Sequence, residues 1–292
     1  MLQGSYVAIV TPFKNKDIDY SAVERLLHHH LDNGTDGILL LGTTGEAPTL
    51  ASDEKERYIR FCVQKIDGKV PVMMGTGTNN LNHTIAMTAR AKSWGVDSAL
   101  VITPYYNKPT QEGLYQFFKA VEAATDIPIV MYNVPGRTGV NMSAETAIRL
   151  ANECEGIVAL KAASGDIVKA SLVVRETSDD FAVLSGEDPL NMPLMACGAS
   201  GFISVTANVV PDMLHKLWAL CSSGDYSFAR KLHQQLLELN KVLFIETNPI
   251  PVKESLAMMG MIQPEFRLPM CPLLKANRQQ LMNVLKSYKL ID

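Results

Sequence analysis

The stretch Gly156-Ile157-Val158-Ala159-Leu160-Lys161 is an apolar run that ends abruptly in a lysine. A short continuous apolar run bounded by polar and turn residues is the pattern of a strand buried on both faces, as in a parallel sheet. Glu153 to Glu155 precede this run, and Ala162-Ala163-Ser164-Gly165-Asp166 follow it. Such a strand delivers an amine to its own end. An ammonium at the edge of an apolar interior is poorly hydrated, which lowers its pKa and frees the neutral amine to attack a carbonyl carbon. Lys161 is therefore a Schiff-base candidate. The competing reading is that its stem snorkels out to solvent or to a carboxylate.

Working outward, β-branched-rich apolar runs recur at 6–11, 37–41, 71–75, 98–103, 128–132, 181–185 and 201–205, which with 157–161 makes eight strands. Between them, segments 21–31, 52–65, 82–93, 111–124 and 143–152 have helical periodicity, several opened by Ser, Asn or Asp as N-caps. Eight strands spaced for crossover helices predict an α/β fold, a (β/α)8 TIM barrel, over an open doubly wound sheet, and the glycine fingerprint of a dinucleotide site is missing. From about Val209 the pattern turns wholly helical, at 211–222, 226–245, 251–261 and 272–289. Only the first of these is needed to finish a barrel. The chain therefore divides into a barrel, 1–224, and a C-terminal helical extension, 225–292, joined without a flexible linker and expected to pack on the barrel.

Hydrophobic residues make up 47% of the 292-residue chain and charged residues 20%, the balance of an ordinary globular protein. A net charge of −3 without like-charge runs carries no sign of a nucleic-acid partner, and none is expected; no apolar stretch approaches the roughly 20 residues of a membrane span. The N-terminus lacks the basic-then-apolar pattern of a secretory signal, so a cytoplasmic location is expected. Five widely spaced cysteines form neither a zinc pattern nor a disulfide framework, and buried reduced thiols are expected. His28-His29-His30 cannot close on one metal ion, because successive helical residues point about 100° apart, and is read as exposed helix surface.

In a barrel of this kind the chemistry sits at the C-terminal ends of the strands. The second run ends in Gly42-Thr43-Thr44-Gly45-Glu46, the fourth in Thr103-Pro104-Tyr105-Tyr106-Asn107, the fifth in Tyr132-Asn133-Val134-Pro135-Gly136-Arg137-Thr138-Gly139, and the sixth in Lys161. Singly, each has a plain alternative: a capped turn, a packed tyrosine, a surface arginine. Jointly they supply what a Schiff-base mechanism needs, namely an amine, hydroxyls to carry protons, and a cation or backbone N–H groups for a 2-oxo acid's carboxylate. Glu187-Asp188, where many barrels bind phosphate, would repel one.

These motifs, with Tyr105-Tyr106-Asn107-Lys108-Pro109, Tyr132-Asn133-Val134-Pro135, Lys161 before Ala163-Ser164-Gly165, and Gly201-Phe202-Ile203-Ser204-Val205, resemble in order those of the dihydrodipicolinate synthase / N-acetylneuraminate lyase family over nearly the whole chain. The resemblance implies a class I aldolase-like synthase, a lyase, that condenses pyruvate with aspartate 4-semialdehyde to 4-hydroxy-tetrahydrodipicolinate, in lysine biosynthesis by way of diaminopimelate, without cofactor or metal. It implies Lys161 as the imine-forming residue, Tyr132 as proton donor and acceptor, and Thr43 with Tyr106 as the rest of the relay. Thr44 and the backbone at Gly186 and Ile203 would bind pyruvate, and Arg137 the second substrate's carboxylate. A homotetramer, a dimer of dimers in which Tyr106 crosses an interface, is implied as well. Arg137 favours the synthases over the rival reading, a sugar-acid lyase, and the intact relay weighs against a non-catalytic regulatory barrel. Ala162 stands where an acidic residue commonly follows the lysine, and is expected behind the strand end. Lysine-sensitive relatives carry a Ser-Ala pair, two histidines and a glutamate at places where this chain has Ala47-Pro48, Ser52, Lys55 and His83, while Asn79 and Tyr105 are kept. Weak or absent feedback inhibition by lysine is expected.

Overall fold

The computed structural model describes residues 1–292. Its strands are β1 Gly4–Ala8, β2 Phe13–Lys14, β3 Asp17–Ile18, β4 Gly37–Leu40, β5 Val72–Gly75, β6 Ser98–Ile102, β7 Ile129–Asn133, β8 Ile157–Ala162, β9 Ala182–Ser185 and β10 Gly201–Ser204. β1 and β4 to β10 form a closed parallel barrel, with β1 paired to both β4 and β10. The (β/α)8 expectation holds, and all eight anticipated runs are barrel strands. The first lies earlier than 6–11, since Gly4 to Val7 pair with Gly201 to Ser204. Beyond it the chain bends away, and the Val10 N–H is taken by Asn208 Oδ1 at 3.1 Å. The β2–β3 hairpin is too short to leave a periodic pattern; Asn15 and Lys16, both with positive φ, make its two-residue turn.

The helices are α1 Tyr20–Asp32, α2 Ser52–Ile66, α3 Leu81–Ser93, α4 Gln111–Ala123, α5 Pro135–Thr138, α6 Ala144–Glu153, α7 Ile167–Glu176, α8 Asn191–Ala196, α9 Pro211–Ser222, α10 Tyr226–Val242, α11 Ile250–Met258 and α12 Lys275–Ser287. Side-chain oxygens of Asp19, Asn80, Thr110, Ser143, Asp166 and Asp225 accept first-turn N–H bonds of α1, α3, α4, α6, α7 and α10. The last three helices are shorter than their periodicity predicts. α12 starts only at Lys275, where the Glu246 carboxylate accepts the Leu274 N–H.

Two apolar layers hold the barrel. Tyr6, Leu39, Met73, Leu100, Val130, Ala159, Leu184 and Ile203 fill its interior. A larger shell packs the strands' outer faces against the helices and continues through Leu236, Val252, Leu256, Leu281 and Leu285, so the C-terminal helices share the barrel's core. No helix is long and apolar enough to cross a membrane.

The histidine run departs from its reading. His28 is exposed, but His30 is fully buried on the inward face of α1 with Ala22, Val23, Leu26 and Leu27. Its Nδ1 meets Thr35 Oγ1 at 3.1 Å, and burial pushes the ring down to about 3, so it stays neutral. The thiols depart in part: Cys62, Cys154 and Cys221 are buried, Cys197 is half-buried and Cys271 exposed, all free.

Candidate active site

The side chain of Lys161 faces the barrel interior because of an irregularity earlier in β8. Ile129 pairs with Ile157 and Val130 with Ala159, so Val158 is skipped and the inward and outward alternation is reset. Ala159, Lys161 and Ala163 then face in, while Leu160 and Ala162 face the helices. Tyr132, the cross-strand partner of Lys161, comes from β7, and Lys161 Nζ lies 4.4 Å from the centroid of its ring. Lys161 is only 6% exposed. Burial pulls its ammonium from the usual 10.5 down to about 7, with Asp188 opposing and the Arg137 guanidinium adding to the fall. Burial also pushes the Tyr132 phenol up, while Arg137 and the Thr43 hydroxyl beside it hold it down. Gly186 must be glycine here: a Cβ would lie 2.8 Å from Ala163 Cβ and 3.0 Å from Lys161 Cε. Its N–H donates to Ala162 O at 2.8 Å.

The turn after β4 is the second half of the site. Thr43–Gly45 form a single 3-10 turn, entered through Leu41 at φ 52 and left through Glu46 at φ 51, both left-handed without being glycine. Non-glycine residues in that region cost about 1–3 kcal/mol each and persist only where their surroundings hold them. The turn also presses on β5, since a Cβ on Gly75 would meet Leu41 O at 2.2 Å. Thr44 is buried, and its Oγ1 accepts from Asn248 Nδ2 at 2.9 Å. Arg137 Nη2, on α5, donates to Asn248 O at 3.3 Å. One residue of the C-terminal extension thus ties both the threonine turn and the arginine.

A cavity of about 370 Å³ opens over these groups, with Thr43, Tyr132, Arg137 and Asn248 on its wall and Lys55 and His83 along the same space. Tyr132 links the two levels, lining the cavity while lying against Lys161. Ile203 is buried in the barrel interior beside β1. Tyr106 is set apart: it is 89% exposed at φ 71, on the loop after β6, and within the single chain it does not line the cavity. Ala162 lies behind the strand end, as expected, where it borders a void of about 10 Å³ with Asn133 and Lys169. Lys169 Nζ reaches only an amide oxygen there, Asn141 Oδ1 at 2.6 Å.

Three groups escaped the sequence reading as parts of this assembly. Asp188 is a buried carboxylate that accepts from Val205 N at 2.9 Å, Thr206 N at 3.1 Å, Asn191 Nδ2 and Ser204 Oγ, pinning the end of β10. Asn248 and the buried pair Lys253–Glu46 tie the C-terminal helices to the threonine turn. Asp188 and Glu46 carried a hint, as acids after the C-terminal ends of strands, and Asn248 and Lys253 carried none.

A parallel barrel whose interior ends in an amine of near-neutral pKa, set against a buried phenol and roofed by threonines and an arginine, defines the class I aldolase kind of enzyme. The dihydrodipicolinate synthetase family model matches residues 1–288. The 4-hydroxy-tetrahydrodipicolinate synthase of Aquifex aeolicus is 49% identical over 290 residues, covering 99% of each chain. Dihydrodipicolinate synthase from Thermotoga maritima superposes at TM-score 0.98 with 45% identity over the whole of both chains. The chloride-inhibited synthase of Acinetobacter baumannii, complexed with pyruvate, does so at 0.97 with 43% identity, again over the whole of both. The chain belongs to the dihydrodipicolinate synthetase family, and it is a lyase with the synthase function of these relatives.

Proposed function

We propose that the chain condenses pyruvate with L-aspartate 4-semialdehyde, using Lys161 as the covalent residue. The observation that carries this reading is the Lys161 amine, buried and 4.4 Å from the ring of Tyr132, which itself lines a cavity with Arg137 on its wall. Neutral Lys161 Nζ adds to the pyruvate C2 carbonyl, and loss of water gives the imine. Tyr132 and Thr43 move the protons, and Tyr106 of a second copy completes the relay across a subunit contact within a tetramer. The exposure and positive φ of Tyr106 favour such a contact, since a bulky residue in the left-handed region is an outlier that needs something to hold it. Thr44 and the backbone at Gly186 and Ile203 hold the pyruvate unit. Loss of a methyl proton gives the enamine, whose carbon attacks the aldehyde. The substrate's own amino group then displaces Lys161 from the imine carbon and closes the ring.

Arg137 pairs with the carboxylate of the semialdehyde, which favours this substrate over sugar aldehydes. The barrel ends at residue 224, the helical extension spans 225–292, and the free thiols suit a cytoplasmic setting. The test is a coupled assay offering pyruvate with aspartate 4-semialdehyde and, separately, with N-acylated and plain sugar aldehydes. It is joined to borohydride reduction in the presence of pyruvate and mass mapping. Turnover with the semialdehyde alone and an adduct on Lys161 are expected; an adduct on another lysine, or preference for a sugar, overturns the reading.

A further inference from the structure

The reading above leaves one fully buried ion pair without a task. Lys253, on α11, and Glu46, at the exit of the threonine turn, have side chains 0% and 1% exposed, with Nζ and Oε1 2.5 Å apart. Lys253 Nζ also lies 4.3 Å from the centroid of the Phe13 ring and 5.0 Å from that of Phe266, an aromatic sleeve that excludes water. The second carboxylate oxygen, Glu46 Oε2, accepts the Arg267 N–H at 3.4 Å. Arg267 in turn is clamped by both oxygens of Glu54, at 2.8 and 2.6 Å. Burial pulls the Lys253 ammonium downward, and the Glu46 carboxylate opposes this.

Such a pair is a poor stabiliser. Taking two charges out of water costs about as much as their attraction returns, and well-packed apolar replacements are often neutral or better. Its geometry, however, acts on one place. Glu46 holds a left-handed backbone at φ 51, its N–H closes the turn on Thr43 O at 3.1 Å, and its carbonyl accepts from the N–H and hydroxyl of Thr49, both at 2.9 Å. A residue so placed sets where the Thr43 hydroxyl and the first N–H groups of the turn point. Five residues before Lys253 on the same C-terminal segment, Asn248 grips Thr44 at 2.9 Å.

We infer that Lys253 is a positioning residue for the reaction, acting through Glu46 to hold the Thr43–Thr44 turn in the conformation that receives pyruvate. The inference rests on the proposed function in taking that turn as part of the pyruvate site. Lys253 touches no substrate; its effect is on the direction of groups that do, and a displacement of about 1 Å in such groups can cost about 100-fold in rate.

The test compares the full-length parent with Lys253→Met, Glu46→Gln and the double variant Glu46→Met/Lys253→Met. Each is measured for urea unfolding, kcat, KM for each substrate, and the rate of borohydride-trapped pyruvate adduct. Lys253→Met alone strands a buried carboxylate and is expected to lose stability. The double variant is expected to unfold at the parent's midpoint or above, yet to show kcat down about 100-fold, pyruvate KM up about tenfold and slower adduct formation, with KM for the semialdehyde within about threefold. Parental kcat and pyruvate KM in a stable double variant would make the pair merely structural and overturn the inference. If the double variant is unstable, Glu46→Gln carries the same decision, since it keeps the shape but sets an amide NH2 against one of the two donors, Lys253 Nζ or the Arg267 N–H: altered pyruvate KM and trapping support the inference, and parental values overturn it. A parent that traps pyruvate on Lys161 but does not use the semialdehyde refutes the choice of second substrate alone, and the trapping rates still decide the role of Lys253.

Discussion

At Lys161 one group carries two consequences of the same burial. Its ammonium titrates near 7 in the folded chain and at 10.5 when exposed, so the folded protein binds fewer protons between those values. The group's effect on stability therefore improves as pH rises from 7 towards 10.5, and its full penalty is present below 7. Attack on pyruvate needs the neutral amine. The kcat/KM for pyruvate should rise about tenfold from pH 6 to 8 and level off above, in step with the rate of borohydride-trapped adduct; a flat profile would show that this amine is not the nucleophile. Arg137 is exposed at the cavity mouth and bonded to the protein only through Asn248 O, so its remaining N–H groups are free for a carboxylate. Arg137→Ala should raise the KM for aspartate 4-semialdehyde by an amount worth roughly 1.5–3 kcal/mol and leave pyruvate's nearly unchanged. Equal losses for both substrates would place the arginine elsewhere in the reaction.

Among elements, the loops after β9 and β10 depend on one carboxylate. Asp188 accepts two backbone N–H bonds and two side-chain bonds inside the fold, and Asn in its place would set an amide NH2 against donors. Asp188→Asn should cost at least about 1.5–3 kcal/mol in urea unfolding, the scale of a bond to a charged acceptor. An unchanged midpoint would show that these loops hold themselves. The eight strands were legible as apolar runs because both faces of a parallel barrel strand are buried, and the polar residues after them marked the reactive end. The inward aim of Lys161 was not, since it depends on the register shift at Val158, a property of two strands and not of one. Asn248 and Lys253 each read as ordinary turn or helix residues, and nothing in the motif ending at Glu46 pointed to them, because the partners lie 204 and 207 positions away. The burial of His30 is legible in the pattern, since its spacing from Ala22, Val23, Leu26 and Leu27 is that of an inward helix face.

For the whole molecule, the cavity continues from the reacting groups to Lys55 and His83, so ligands at its far end would be sensed by the same walls. Burial holds the Lys55 ammonium down, yet it remains a like charge for any free lysine, and His83 offers no carboxylate for an ammonium. Lysine titrated into the steady-state assay should leave the rate unaltered to about 1 mM, which excludes binding stronger than about −4 kcal/mol; half-inhibition below that concentration would mean other residues rebuild the pocket. The long ties between the threonine turn and residues 248, 253 and 267 also bear on the order in which the chain is made. A nascent chain with all eight strands already outside the ribosome still lacks the contacts that residues 248, 253 and 267 make with residues 44 and 46. A fragment that stops short of residue 248 should therefore hold Lys161 in its strand and still receive pyruvate poorly.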